Sequence, residues 1–172
     1  MFEKIIGLAA MPTGDNVIFR KAVRAVITTG ERKLIMVKSA NGDYRFPGGG
    51  LEADEDLLTT LKREALEEAG AIVAEAVRKI GTVEERRKSY EVADTYFVMK
   101  STYYLCQAAQ MVEPQLEDYE KELGFEPAVI KIAEALETNK KILEQQPDKI
   151  NPCVRRDTVV LEYLLDNEGM LD

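Results

Sequence analysis

The sequence predicts one domain in which helices cover a mixed β-sheet, that is, an α/β or α+β fold. Runs rich in apolar, β-branched and aromatic residues alternate with segments whose apolar residues recur at helical spacing. A length of 172 residues suits one domain with a proper core. A content of 45% hydrophobic and 31% charged residues is typical of a soluble globular protein. We therefore expect residues 1–172 to form a single domain.

The first half of the chain combines strand-like runs, turn signals and one amphipathic helical pattern. Leucines and alanines recur at helical spacing up to Gly70, a natural helix stop. Three consecutive glycines after Pro47 leave backbone amides and carbonyls uncovered, which predicts an unusually accessible loop. In chain order we expect two strands within 23–37 joined by a turn at 29–32, a turn at 41–43, a short run at 44–46, the glycine loop at 48–50 and a helix at 56–69.

The second half continues the alternation of strands and helices. Aromatic and β-branched residues predict a long strand, and two helical patterns are separated by Pro147 and Pro152. In chain order we expect a weak strand ending near 84–88, the long strand at 95–108, an acidic stretch at 113–127, a short strand at 128–132 and helices at about 133–145 and 156–166.

Composition excludes several kinds of function. The chain has no histidine and only two cysteines, outside any C-x-x-C pattern, which argues against imidazole catalysis and against a thiolate zinc site. A net charge of −8 argues against a broad nucleic-acid surface. No apolar run is long enough to cross a bilayer, and Glu3 and Pro12 interrupt the opening apolar stretch, which argues against a secretory signal. We therefore expect a cytoplasmic protein with no membrane partner.

Three glutamates on the predicted helix, Glu64, Glu67 and Glu68, form an unusual acidic group. At about 100° per residue they fall within one arc, beside the leucines that the helix buries. Like charges repel there, and the C-terminal end of a helix disfavours anions, so stability alone would not select this arrangement. Acidic sets of this kind are often only a solvated face. Their spacing from the glycine loop instead favours a site for Mg²⁺ or Mn²⁺, which prefer carboxylate and carbonyl oxygens.

The glycine loop and the acidic helix together resemble the signature of the Nudix hydrolases, the MutT-like family. The resemblance covers residues 49–71 and extends loosely to about residue 112, beyond which it is weak. The polar and glycine positions that match are Gly49, Glu55, Arg63, Glu64, Glu67, Glu68 and Gly70.

The resemblance implies an α/β/α sandwich with a mixed β-sheet and a loop-helix-loop catalytic motif. It implies a Mg²⁺ site, with Mn²⁺ as an alternative, whose ligands are Glu64, Glu67, Glu68 and the carbonyl of Gly48. It implies a structural brace made of Glu55, Arg63, Gly49 and Gly70. The catalytic side chains expected from it are Glu64 and Glu67, with a further carboxylate from the acidic stretch, for which Glu120 and Glu122 are the best placed. Arg45 and Tyr44 are the substrate-binding candidates.

The implied activity is cleavage of a nucleoside diphosphate linked to another moiety, by attack of an activated water at phosphorus. The substrate is then a small molecule: a nucleoside triphosphate, a dinucleoside polyphosphate or a nucleotide sugar, and a homodimer is compatible with this. Nudix members that act on ADP-ribose often have a proline in the segment after the signature. Residues 71–112 contain none, so the resemblance makes ADP-ribose a less favoured substrate. The alternatives are a non-catalytic Nudix-fold nucleotide-binding or regulatory module and an acidic helical protein outside the family. The isoprenoid isomerase branch is disfavoured because it relies on histidine.

Overall fold

The computed structural model describes residues 1–13, 16–29, 31–74, 77–145 and 152–171. Its strands are β1 (Phe2–Gly7), β2 (Val17–Thr28), β3 (Lys33–Lys38), β4 (Tyr44–Arg45), β5 (Ala71–Val73), β6 (Arg78–Lys88), β7 (Tyr96–Met111) and β8 (Glu126–Lys131). Its helices are α1 (Leu57–Ala69), α2 (Asp118–Glu122), α3 (Ile132–Gln145) and α4 (Pro152–Asp166), followed by a 3₁₀ turn at Glu168–Met170.

The strands form a mixed sheet in the order β1-β6-β7-β2-β3-β4, with β5 paired to β7 and β8 paired to β3. Two pairs are parallel: β2 with β7 over twelve residues, and β1 with β6. The remaining pairs are antiparallel. The prediction of a mixed sheet is therefore confirmed.

Helices cover both faces of this sheet because the side chains of a strand alternate between its faces. Val23, Ala25 and Ile27 of β2 pack with the buried face of α1. Val26, one residue out of phase, belongs to a second core cluster that takes in residues of α3 and α4. The central strand β2 thus lies between two apolar layers, which confirms the α/β/α arrangement.

Several boundaries differ from the expected ones, and each difference has a local cause. Helix α4 begins at Pro152 rather than near 156, because proline lacks the N–H that the first helical turn leaves unbonded. Strand β8 begins at Glu126, and Ile132 already belongs to α3. The acidic stretch contains α2 rather than only a loop. Strands β1 and β5 were not predicted. Gly30 of the expected turn at 29–32, and Pro147, lie outside the described residues.

Among the described residues, no helix has both the length and the apolar character that a membrane span requires.

Candidate active site

The glycine loop runs beside β2 and is tied to it by backbone hydrogen bonds. The N–H of Ala25 donates to the carbonyl of Pro47 at 2.8 Å, and that of Val23 donates to the carbonyl of Gly49 at 3.0 Å. Gly48, between them, has a φ of 144° and approaches β2 so closely that a Cβ would lie 2.1 Å from the carbonyl oxygen of Val23. Only glycine fits there. The Gly48 carbonyl accepts no hydrogen bond from any described residue.

Helix α1 is fixed at its start by Asp56 and at its end by Gly70, the expected stop. The Asp56 carboxylate accepts hydrogen bonds from the N–H groups of Leu58 and Thr59, which caps the first turn. Gly70 ends the helix in the left-handed conformation, with φ 63°. These ends set the register of the turn that carries the glutamates.

Arg63 holds the loop and the acidic turn together. Its Nε and Nη2 donate to the two carboxylate oxygens of Glu55 at 2.9 and 3.0 Å. Its Nη1 donates to Oε1 of Glu64 at 3.0 Å and to Oε2 of Glu67 at 2.9 Å. The hydrogen bond from Arg63 lowers the pKa of Glu55 to about 2. The side chains of Arg63 and Glu55 are 23% and 15% exposed, so this expected pair is partly buried.

Three buried glutamates converge at the centre of the site, and we call Glu64, Glu68 and Glu120 the carboxylate cluster. One oxygen from each lies within 4.8 Å of one from each of the others. The three residues are 7%, 6% and 2% exposed. Burial raises the pKa of Glu68 to about 8, and the charges of Glu64 and Glu120 add to the rise while Arg24 opposes it. Burial likewise raises the pKa of Glu64.

Two members of the cluster are held by one oxygen and keep the other without a donor. Glu68 accepts the N–H of Gly48 on Oε2 at 2.7 Å, and Glu64 accepts Arg63 on Oε1. No described residue donates to the remaining oxygen of either side chain. Glu120 accepts the Tyr119 hydroxyl at 3.0 Å and the N–H of Glu117 at 2.7 Å. Buried carboxylates with raised pKa and open oxygens are a donor set that fits a hard divalent cation such as Mg²⁺.

Comparison with known proteins agrees with this geometry. A family model described as the NUDIX domain matches residues 18–150, which is most of the chain. The chain belongs to the NUDIX family. The match confirms the resemblance, and it extends past residue 112.

Two known proteins are similar to this chain. Nudix hydrolase 12, mitochondrial, of Arabidopsis thaliana is 36% identical over 106 residues, which are 61% of this chain and 51% of the relative. This chain therefore spans about half the length of that relative. A NUDIX hydrolase structure from Nitrosomonas europaea is 21% identical, covers 84% of this chain and 88% of its own, and has a TM-score of 0.54. That likeness supports the fold.

A further solved structure, from a study of MutT of Aliivibrio salmonicida and Vibrio cholerae, has a TM-score of 0.47 and 19% identity, covering 74% of this chain and 96% of that chain.

The other predicted side chains are not members of the carboxylate cluster of this NUDIX domain. Glu122, two residues after Glu120, is exposed on α2. Glu67 is bound to Arg63 and its side chain is 25% exposed. Arg45 is buried, donates to Asp43 at 2.6 Å and covers the ring of Phe125. These partners give Arg45 a structural role.

Tyr44, the second expected substrate-binding residue, is tied to the fold through its backbone. Asn139 of α3 accepts the N–H of Tyr44 and donates to its carbonyl, each at 2.8 Å. The ring of Tyr44 packs against the core cluster under α3 and α4.

Gly49 contributes in a way that its place in the signature alone did not explain. A Cβ at this position would lie 2.2 Å from Oε1 of Glu64. The Glu64 carboxylate therefore rests directly against the Cα of Gly49. Any larger residue at 49 would push that carboxylate out of place.

Sequence reasoning missed Arg24. It lies on β2 beside the glycine loop, and its charge opposes the rise in pKa of both Glu64 and Glu68. The available signal was a single arginine inside an otherwise apolar run, VRAVI.

Proposed function

We propose that this protein is a divalent-metal-dependent pyrophosphohydrolase that cleaves a nucleoside diphosphate derivative by attack of water at phosphorus. Membership of the NUDIX family indicates hydrolysis of pyrophosphate bonds. The single observation that carries the finer proposal is the convergence of Glu64, Glu68 and Glu120 within 4.8 Å of one another in a buried position. Three buried anions this close are unfavourable unless a cation is bound between them.

The residues proposed to hold the ion are Glu64, Glu68 and Glu120, with the carbonyl of Gly48. Glu64 and Glu68 each have one oxygen fixed by a donor of the protein, which orients the other oxygen toward a ligand. When bound, Mg²⁺ or Mn²⁺ would offset the negative charge of the diphosphate and acidify a water.

Glu67 and Glu120 are the two proposed proton acceptors. The attacking water must lose a proton, and the chain has no histidine to receive it. Glu67 has one oxygen on Arg63 and no described donor on the other. Glu120 belongs to the carboxylate cluster itself, where the Tyr119 hydroxyl and the N–H of Glu117 hold its carboxylate. The two assignments are separable by substitution.

A substrate screen tests the proposal. The purified protein is incubated with Mg²⁺ and, separately, with Mn²⁺ in the presence of nucleoside triphosphates, dinucleoside polyphosphates, nucleotide sugars and ADP-ribose. Alkaline phosphatase then releases phosphate from the products of the dinucleoside polyphosphates, nucleotide sugars and ADP-ribose, and inorganic pyrophosphatase releases it from the pyrophosphate formed from the triphosphates, for colorimetric detection. Chromatography identifies the products, and ¹⁸O-labelled water reports which phosphorus is attacked. We expect metal-dependent turnover of at least one class, abolished by EDTA.

Glu68→Gln is the matched control, because it keeps the shape of the side chain and removes its charge. We expect it to reduce turnover by about 100-fold or more, as removal of a group that stabilises the transition state commonly does. If no compound is cleaved with either metal, the hydrolase proposal is wrong. Calorimetric binding of a nucleotide without any product would instead support a non-catalytic binding module.

A further inference from the structure

Arg24 is a half-buried cation beside the carboxylate cluster that the roles proposed above do not use. Its two chain neighbours, Val23 and Ala25, hold the glycine loop through their N–H groups. Its Cα would lie 2.9 Å from a Cβ placed on Gly48. Gly48 in turn donates its N–H to Glu68. The backbone of Arg24 is therefore one contact removed from a proposed metal ligand.

The guanidinium of Arg24 has no hydrogen-bond partner among the described residues. Its Nε is buried and unpaired, a state that is unfavourable for a charged donor. Two other unpaired buried atoms, on Ser101 and Glu85, belong to the same face of the sheet. Arg24 is paired with Tyr103 of β7, and Ser101 and Met99 lie two and four residues before Tyr103, so their side chains share its face. Glu85 of β6 is paired with Met99 and therefore lies on that face too. Unpaired polar atoms thus gather on the face opposite α1.

Neutralising the carboxylates does not account for this geometry. Arg63 shows what such a role requires, since it donates directly to Glu64 and Glu67. Arg24 makes no such hydrogen bond, although Glu64 and Glu68 each keep an oxygen without a described donor. Its charge reaches these carboxylates, and no described residue accepts a hydrogen bond from its guanidinium. An arginine in this state is suited to an anion that arrives with the substrate, because its planar fork matches phosphate oxygens.

We propose that Arg24 binds a phosphate of the substrate's diphosphate next to the ion held by Glu64 and Glu68. This inference rests on the proposed function, since it places the diphosphate at that site. It also sets a positive charge against the phosphates from the β2 side of the site.

The test measures binding without turnover. Imidodiphosphate, in which nitrogen replaces the bridging oxygen, is titrated by calorimetry in Mg²⁺ into the wild-type protein and three variants. Arg24→Gln removes the charge. Arg24→Met also removes it but keeps the apolar stem, so a folding defect of one variant does not decide the result. Arg20→Gln is the control, since it makes the same charge change on an exposed residue of the same face of β2.

We expect both Arg24 variants to bind imidodiphosphate about 10- to 100-fold more weakly, as loss of a charge-assisted hydrogen bond predicts. Arg20→Gln should bind within about threefold of the wild type, and Mg²⁺ titrated alone should bind the Arg24 variants no more weakly. The inference is overturned if the wild type does not bind the probe, if both Arg24 variants bind as the wild type does, or if their affinity for Mg²⁺ alone falls equally.

These outcomes are separate from those of the substrate screen. A wild-type protein that binds imidodiphosphate through Arg24 but hydrolyses no substrate refutes the catalytic proposal and supports the role of Arg24. A protein that hydrolyses a substrate while Arg24→Gln binds the probe normally refutes the role of Arg24 alone.

Discussion

Replacing Glu68 by glutamine should stabilise the metal-free protein, and the gain should grow with pH. Glu68 has its pKa raised from 4.5 to about 8 in the folded chain, chiefly by burial. Its folded state therefore holds a proton that the unfolded state has already released. The free energy of unfolding of the wild-type protein therefore falls as pH rises from 4.5 to 8, and the contribution of Glu68 to this fall is complete above pH 8. Glutamine cannot ionise and so does not show this loss.

The size of the effect follows from the same values. A difference between 4.5 and about 8, at about 1.4 kcal/mol per pH unit, gives Glu68→Gln an advantage of about 5 kcal/mol at pH 8 relative to pH 4.5. The amide oxygen of the substituted glutamine can still accept the N–H of Gly48, so the hydrogen bond of the native carboxylate is kept. The difference between the two proteins isolates this group because all other titrating groups are shared.

Urea unfolding in EDTA at pH 5, 6, 7 and 8 measures the effect. The chain has no tryptophan, so circular dichroism is the suitable signal. Glu122→Gln, the same change on an exposed residue of α2, should differ little from the wild type at every pH. Mg²⁺ at 100 times its Kd should then stabilise the wild type at pH 8 by about 2.7 kcal/mol and the Glu68→Gln variant by less. A pH-independent difference between Glu68→Gln and the wild type would refute this reasoning.

Three further predictions concern the loop, the acidic stretch and the brace. Gly49→Ala should lower kcat by about 100-fold with little change in Tm, because its Cβ would displace the Glu64 carboxylate; Gly50→Ala, whose Cβ would have its nearest neighbour at 3.8 Å, should be nearly unaffected. Glu120→Gln should lower kcat by about 100-fold or more and Glu122→Gln by less than about threefold; equal effects would contradict the burial difference. Glu55, with a pKa lowered to about 2, contributes stability that is present above pH 4.5 and lost as pH falls toward 2. Thermal unfolding of Glu55→Gln should therefore be less sensitive to acid than that of the wild type, and an equal sensitivity would argue against the brace.

Features encoded within a few neighbouring residues were predictable. The bounds of α1 follow from the Asp56 cap and the left-handed Gly70, both of which act within one turn. The strands that were predicted are dense in β-branched and aromatic residues, which pack on a half-buried sheet. The glycine loop was predictable from its composition, and the brace of Glu55 and Arg63 was predictable only through the family resemblance of the segment that contains both residues.

Features that depend on distant parts of the chain were not predictable. Strand β1 exposes most of its side chains, so its sequence has no buried period for pattern analysis to find. Helix α2 has five residues and buries only Glu120, so it lacks an apolar stripe. The significance of Arg24 depends on β2 lying beside both the glycine loop and β7, and the β7 pairing joins residues about 80 positions apart. Sequence spacing does not carry that information.

The acids at the end of α1 are best explained by the oxygens that the protein leaves without a donor. Like charges repel there, and the end of the helix dipole disfavours them. Arg63 relieves part of this cost but reaches only one oxygen of Glu64 and one of Glu67, and the backbone of Gly48 reaches one oxygen of Glu68. Arg24 adds charge without a hydrogen bond. A divalent cation matches both the unbalanced charge and the open oxygens, so the arrangement that helix stability disfavours is the one that a metal site requires.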